Sequence, residues 1–164
     1  MVTLVQVRRD DEFDIRRLLE HYMRYDDDLD LSGMLTVFES DAVYRVMGGE
    51  HVGLSAIEKF LRDHGMTKDR PSWRDPGRLM DPPLRTHISS NPVIEFVDDD
   101  TAAVESDFTV IERDENGHAL VVLAGRYRDV VARQADGRWL FRDRTGVSMQ
   151  RRSAKFFGTA LGAS

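Results

Sequence analysis

Three consecutive aspartates, Asp26, Asp27 and Asp28, follow an amphipathic segment near the start of the chain. Carboxylates are unfavourable at the carboxyl end of a helix, because the helix dipole already places negative charge there. One interpretation is a solvated turn in which Asp28 or Asp30 caps the next helix. The alternative is that one carboxylate points into a pocket, at a folding cost that function compensates. The residues alone leave open which interpretation holds and which aspartate it concerns.

Among the histidines, His87 is the one best placed for chemistry, because it is embedded in a predicted strand, in the segment THISSNP. The others lie on predicted helices or beside turns: His21, His51, His64 and His118. Alone, a histidine within a strand is more often structural. Paired with a carboxylate from a helix it becomes a usable general base, because the carboxylate fixes the ring tautomer and stabilises the charged ring.

The sequence lacks the motifs of other kinds of site, such as metal, phosphate-binding and nucleophilic sites. The chain has no cysteine, and no two histidines have the spacing of a helical zinc motif. The acidic runs do not follow the calcium-loop pattern, and neither a phosphate-binding glycine loop nor a GxSxG nucleophile motif is present. We therefore predict a site that uses no metal and no cofactor.

Length and charge narrow the class of protein. The chain has 164 residues, which suits one domain, and its net charge of −6 argues against nucleic acid as a partner. No run of about 18 apolar residues predicts a membrane span. The first residues lack the charge order of a secretory signal, so we predict a cytoplasmic protein.

Apolar residues at helical spacing predict a first helix over 10–25, capped by Asp10 or Asp11. Its expected buried face is Phe13, Ile15, Leu18, Leu19, Tyr22 and Met23. A second helix is predicted over 31–38 with Asp30 as its cap, then a strand over 42–47, and a third helix over 55–64.

The second half of the chain changes to the alternating pattern of strands. Residues 65–83 contain four of the five prolines, which predicts a long loop or lid. Four strands follow with turn residues between them: 84–97, 101–113, 118–132 and 138–149. The order predicts an α+β fold in which helices cover one face of a single curved antiparallel sheet, with a small-molecule pocket in its hollow.

Aromatic side chains are expected near such a pocket. Most of them belong to the core by default, but Tyr25 and Tyr44 can also donate a hydrogen bond to a substrate oxygen. We include Phe108 and Tyr127 as substrate contacts. Arg144 alternates with its neighbours on the last strand, where it faces outward or pairs with a carboxylate, or turns inward to hold an anionic or carbonyl group.

Three segments resemble the SnoaL-like family of the nuclear-transport-factor-two-like superfamily: residues 25–61, 85–96 and 124–144. The resemblance implies a cone-shaped, cystatin-like barrel, often assembled as a dimer or trimer. In its dehydratase and dehydrochlorinase branch, an aspartate near the end of the first helix orients a proton-abstracting histidine. The corresponding residues are Asp27 and His87 as catalytic residues, and Asn91 of the His-x-x-x-Asn pattern as a substrate contact.

The expected function is therefore a cofactor-independent lyase, a dehydratase or related elimination catalyst, acting on a small cyclic or polyketide-like, apolar or aromatic substrate. A non-catalytic binding protein or a subunit like the dioxygenase β subunits is the alternative, and an isomerase or cyclase of the same fold is another. We predict a single domain over 1–150 and a tail over 151–164 that forms a short helix over the pocket or an interface, or is unstructured.

Overall fold

The structure, a computed structural model, describes residues 4–66 and 85–149, with backbone only for residues 4–7. The helices are α1 (Leu4–Asp27), α2 (Leu31–Leu35) and α3 (Leu54–Asp63). The strands are β1 (Phe38–Val46), β2 (Gly49–Val52), β3 (Arg85–Phe96), β4 (Thr101–Arg113), β5 (Ala119–Arg133) and β6 (Trp139–Ser148). The predicted loop beyond Met66 and the predicted tail lie outside the described residues.

The strands form one curved six-stranded sheet in the order β2-β1-β6-β5-β4-β3. Neighbouring strands are antiparallel, as predicted, except that β1 runs parallel to β6. Register shifts interrupt β1, β3 and the β4–β5 and β5–β6 pairs, and such bulges bend a sheet. The predicted α+β class, with helices at one face of a curved sheet, is confirmed.

The four long strands lie where the alternation places them, within one or two residues at each end. The turns between them contain Gly117 and Gly137, both at a φ of 87°, in the left-handed region that glycine adopts without strain. The short strand β2 was not predicted. It pairs with β1 across Met47 and Gly48, which have φ angles of 52° and 81°, the form of a two-residue hairpin.

Helix α1 is longer than predicted, because it begins at Leu4 and not at an aspartate cap. Asp11 lies inside the helix and is buried. Its carboxylate accepts a hydrogen bond from Nε1 of Trp139 at 3.3 Å and forms a salt bridge with Arg133. Asp11 therefore stabilises the contact between α1 and the sheet, and it does not cap the helix. Phe13, which was predicted to be buried, is 60% exposed.

Replacing Asp11 by alanine should lower the free energy of unfolding by about 1–3 kcal/mol, because the buried indole N–H of Trp139 loses its acceptor. Chemical denaturation measures the loss. The exposed Asp14 of the same helix provides the matched control, since Asp14→Ala should leave the stability nearly unchanged. Equal effects from the two substitutions would contradict the structural role of Asp11.

Helix α2 is shorter than predicted. Asp30 caps it as expected, by accepting from the backbone N–H of Gly33 at 2.9 Å. The helix ends at Leu35, however, and Phe38 begins β1 opposite Phe141 of β6. Pairing with the sheet and burial of the Phe38 ring override the local helical pattern.

The core lies between α1 and the inner face of the sheet. Its fully buried side chains include Ile15, Leu19 and Tyr22 of α1, and Val104 and Phe141 of the sheet. Helix α1 packs against β3 and β6, so its carboxyl end is held beside the start of β3. Within the described ranges, no helix combines the length and apolar composition that a bilayer crossing requires.

Candidate active site

The last residue of α1, Asp27, meets His87 of β3. Its Oδ1 atom accepts a hydrogen bond from Nδ1 of the His87 ring at 2.8 Å and another from the backbone N–H of His87 at 2.9 Å. Both side chains are only 7% exposed. One carboxylate oxygen therefore holds both the ring and the main chain of the histidine.

This contact sets the chemistry of the ring. Because Nδ1 donates its hydrogen to a carboxylate, Nε2 of the neutral ring carries the lone pair and is the basic atom. When Nε2 takes a proton, Asp27 stabilises the resulting imidazolium. The arrangement is that of a histidine base with an orienting carboxylate.

A second carboxylate, Asp26, lies on the other side of the ring. Its Oδ2 is 3.6 Å from Nε2 of His87, and its side chain is 19% exposed. Burial raises the pKa of Asp26 above its usual value, and the nearby His87 and Arg85 act against this increase. Asp26 therefore keeps its proton to a higher pH than an exposed aspartate does.

Helical geometry explains why two adjacent aspartates reach opposite edges of one ring. Asp26 follows Tyr22 by four residues, so it continues the face of α1 that is buried in the core. Asp27 is turned about 100° further around the helix and faces β3. Leu29, in the left-handed region at a φ of 51°, then directs the chain out of α1.

An arginine fills the interior next to this pair. Arg144 of β6 is fully buried, and its Nη1 donates to Oδ2 of Asp129 on β5 at 2.7 Å. The guanidinium carbon lies 3.9 Å from the ring centre of Tyr22, 3.7 Å from that of Tyr127 and 4.4 Å from that of Phe141. The Nε and Nη2 atoms have no hydrogen-bond partner among the described residues.

Two phenols meet in the same interior. The hydroxyl oxygens of Tyr22 and Tyr44 are 2.6 Å apart. Only one of the two hydroxyl hydrogens is used between them, and the hydroxyl group of Tyr127 lies beside that of Tyr22 as a further partner. Burial raises the pKa of both phenols, which therefore act as neutral donors.

The predicted site residues fall into two groups. The interior contains Tyr44, Phe108, Tyr127 and Arg144, all buried. Of the two orientations considered for Arg144, the structure shows the inward one, paired with Asp129. Phe108 packs on Tyr127, with ring centres 4.5 Å apart.

Asn91 and Tyr25 lie elsewhere. Asn91 is exposed at the bulge in β3, in the left-handed region, and its Nδ2 donates to Asp107 at 3.0 Å. The bulge shifts the strand alternation, which turns Asn91 away from the ring of His87. Tyr25 is half-buried against Gly33 and near the ring of His21. Neither side chain lines the groove beside His87, and their contact with a substrate stays a prediction.

A surface groove gives access to His87. A groove of about 390 Å³ runs between α1 and β3, lined by Glu20, His21, Met23, Arg24, Asp27, His87 and Ser89. Within the described residues, buried aromatic side chains and Arg144 lie on the inner face of the sheet. In residues 4–66 and 85–149, no three His, Asp or Glu side chains are arranged to hold a metal ion.

Sequence reasoning missed two residues of this interior. Asp129 alternates with Tyr127 and Val131 on one face of β5, a signal that places it inward. Asp26 continues the buried helical face of Tyr22, as described above. Burial raises the pKa of Asp129 to about 7, although Arg144 acts in the opposite direction.

Comparison with known proteins identifies the family of this chain. Residues 7–145 match the SnoaL-like domain family. Comparison with curated protein sequences gives no match. Similar solved structures include Rv3472 from Mycobacterium tuberculosis, a protein of unknown function, with 19% identity, a TM-score of 0.73, and coverage of 96% of this chain and 82% of that one.

Two further similar structures bear the names of elimination enzymes. A proposed scytalone dehydratase from Novosphingobium aromaticivorans has 21% identity, a TM-score of 0.69, and coverage of 90% of this chain and 89% of that one. A hexachlorocyclohexane dehydrochlorinase, LinA type 2, has 18% identity, a TM-score of 0.66 and coverage of 88% of each chain. At these identities the structures establish the fold alone. Because the family match spans most of the sequence, the protein belongs to the SnoaL-like domain family.

Proposed function

We propose that this protein is a cofactor-independent lyase that removes water or another small leaving group from a small cyclic, apolar or aromatic substrate. The observation that carries the proposal is the buried hydrogen bond between Asp27 and Nδ1 of His87. The names of two similar structures, a proposed scytalone dehydratase and a dehydrochlorinase, support this reaction class.

In the proposed reaction, Nε2 of His87 takes a proton from a carbon next to a carbonyl group. Asp27 keeps the ring in the tautomer that presents the lone pair at Nε2, and it stabilises the imidazolium. The electron pair left on carbon then expels the leaving group.

The isomerase or cyclase alternative would use a carboxylate directly as the base. Asp27 is poorly suited to this role, because its Oδ1 already accepts two hydrogen bonds from His87. A histidine base is therefore the better explanation of the geometry.

The proposal is tested with cyclic β-hydroxyketones of one and two rings, beginning with β-hydroxycyclohexanone. Loss of water gives an enone, which is followed by its ultraviolet absorbance. Proton abstraction alone is measured by the exchange of the α-hydrogens of cyclohexanone in deuterated water. We expect the protein to accelerate both reactions well beyond an equal concentration of free imidazole.

Acceleration no greater than that of imidazole across this panel would contradict the lyase. It would favour the non-catalytic alternative, in which Asp27 and His87 only stabilise the fold. Copurification with a larger oxygenase chain would then be the observation to seek.

A further inference from the structure

Asp26 occupies a position that the mechanism above does not use. Its Oδ2 atom lies 3.6 Å from Nε2 of His87, the ring atom that must act as the base. The distance is slightly longer than a hydrogen bond, so a small rotation of the carboxyl group would close it. The ring of His87 thus lies between two carboxyl groups with different surroundings.

The surroundings of Asp26 favour its protonated form. The dominant effect is burial, because a charged carboxylate loses hydration in the core. The charged and titratable groups that face it come from five elements: Tyr22 and Asp27 of α1, Tyr44 of β1, Arg85 and His87 of β3, Tyr127 of β5, and Arg144 of β6. Arg85, His87 and Arg144 favour the charged form of Asp26, but they do not outweigh burial.

Asp27 cannot fill the same role. Its Oδ1 already accepts two hydrogen bonds, from the ring and from the main chain of His87, and these contacts orient the ring. The two neighbouring aspartates therefore differ in what they can do. Asp27 is a fixed acceptor, whereas Asp26 is a carboxyl group that can hold and release a proton.

We propose that Asp26 is a second acid–base residue of this site, which delivers a proton to a departing hydroxyl group while His87 removes a proton from carbon. The inference rests on the lyase function proposed above and specifies its substrate class. A hydroxyl is a poor leaving group unless it is protonated, whereas a halide leaves without a proton. The site is therefore built for dehydration of a β-hydroxy carbonyl compound.

The step balances without any further reactant. The C–H bond breaks, its proton goes to Nε2 of His87, and its electron pair forms the C=C bond. The C–O bond breaks, and the proton of Asp26 joins the departing oxygen to give water. An imidazolium and a carboxylate remain, 3.6 Å apart, and transfer of the proton from Nε2 to Asp26 restores both groups.

The test compares two leaving groups on one ring. β-Hydroxycyclohexanone and β-chlorocyclohexanone both give cyclohexenone, and the uncatalysed rate is subtracted for each. We expect Asp26→Asn to lower dehydration about 100-fold or more, and to lower loss of chloride far less. His87→Ala should lower both reactions, and Asp14→Asn, at an exposed position on the same helix, provides the charge-matched control.

The pH dependence gives a second measurement. Dehydration requires protonated Asp26, so its rate should fall as the pH rises through the raised pKa of Asp26, whereas loss of chloride should not show this decrease. In parallel, ¹³C NMR of the side-chain carboxyl groups, assigned by Asp26→Asn, should find Asp26 titrating above the ordinary aspartate value of about 4.

Two results would overturn the inference while leaving the lyase intact. One is an equal loss of both reactions in a folded Asp26→Asn protein, which would indicate a structural role. The other is an Asp26 carboxyl that titrates near its ordinary value, a result that does not depend on activity. If His87→Ala instead matches the wild type on both compounds, the proposed base itself fails and the acid fails with it.

Discussion

His87→Ala and Asp27→Asn should each lower kcat for the elimination by about 10²–10⁴-fold while the protein remains folded. His87→Ala removes the base. Asp27→Asn keeps the size of the side chain and an oxygen that can accept from the backbone N–H of His87, but it removes the negative charge that stabilises the imidazolium. Steady-state kinetics and thermal unfolding measure the two effects.

A third substitution separates chemistry from folding. Asp27→Ala removes the charge and also the acceptor for two buried hydrogen bonds, so it should lower the free energy of unfolding by about 1–3 kcal/mol more than Asp27→Asn does. Asp14→Asn controls for the change in net charge. If Asp27→Asn and His87→Ala both unfold the protein, the pair belongs to structure.

The contact between Asp27 and His87 could be anticipated from the sequence only in part. Alternation identified the strand that contains His87, because long strands with one buried face have a strong periodic pattern. The residues alone did not choose among the three aspartates. That choice came from the family resemblance, and the side-chain contact is now observed.

Most of the remaining differences come from contacts between distant segments. The bulge in β3 beside Asn91 is an exception, because Pro92 within the strand is a local signal for it. Asp11 resembles a helix cap until its partner Trp139, far along the chain, is known. Phe38 fits a helix until β6 pairs with it. Local patterns therefore give the elements, and tertiary contacts decide their ends.

The inward position of Asp129 is a different case, because its signal was present. It alternates with buried residues on β5, directly opposite Arg144 in the antiparallel register. Two opposite charges at paired positions of neighbouring strands indicate an ion pair. What the sequence does not contain is the depth of burial, which determines how strongly the fold depends on the pair.

Arg144→Met should lower the free energy of unfolding by about 3–5 kcal/mol, because it leaves Asp129 without its partner in the core. The effect is measured by chemical denaturation at about pH 8, above the pKa of about 7 that Asp129 has beside Arg144, so that the pair is ionised in the wild-type protein; without Arg144 that pKa rises further. Arg142→Met on the same strand is the matched control. Arg142 is half exposed and pairs with Glu39 at 2.9 Å, so its loss should cost about 1 kcal/mol or less.

The double variant Arg144→Met with Asp129→Leu measures what the ion pair contributes to stability. If the cost of Arg144→Met is mainly that of a buried charge without a partner, replacing both residues by apolar ones should restore much of the stability. If stability is not restored, the contribution of Arg144 to the free energy of unfolding comes instead from the stacking of its guanidinium between Tyr22 and Tyr127. A double variant that is stable but inactive would indicate that Arg144 acts in the site. Its Nε and Nη2 donors lie in the interior beside Asp26 and the phenols. Neither donor has a hydrogen-bond partner among the described residues.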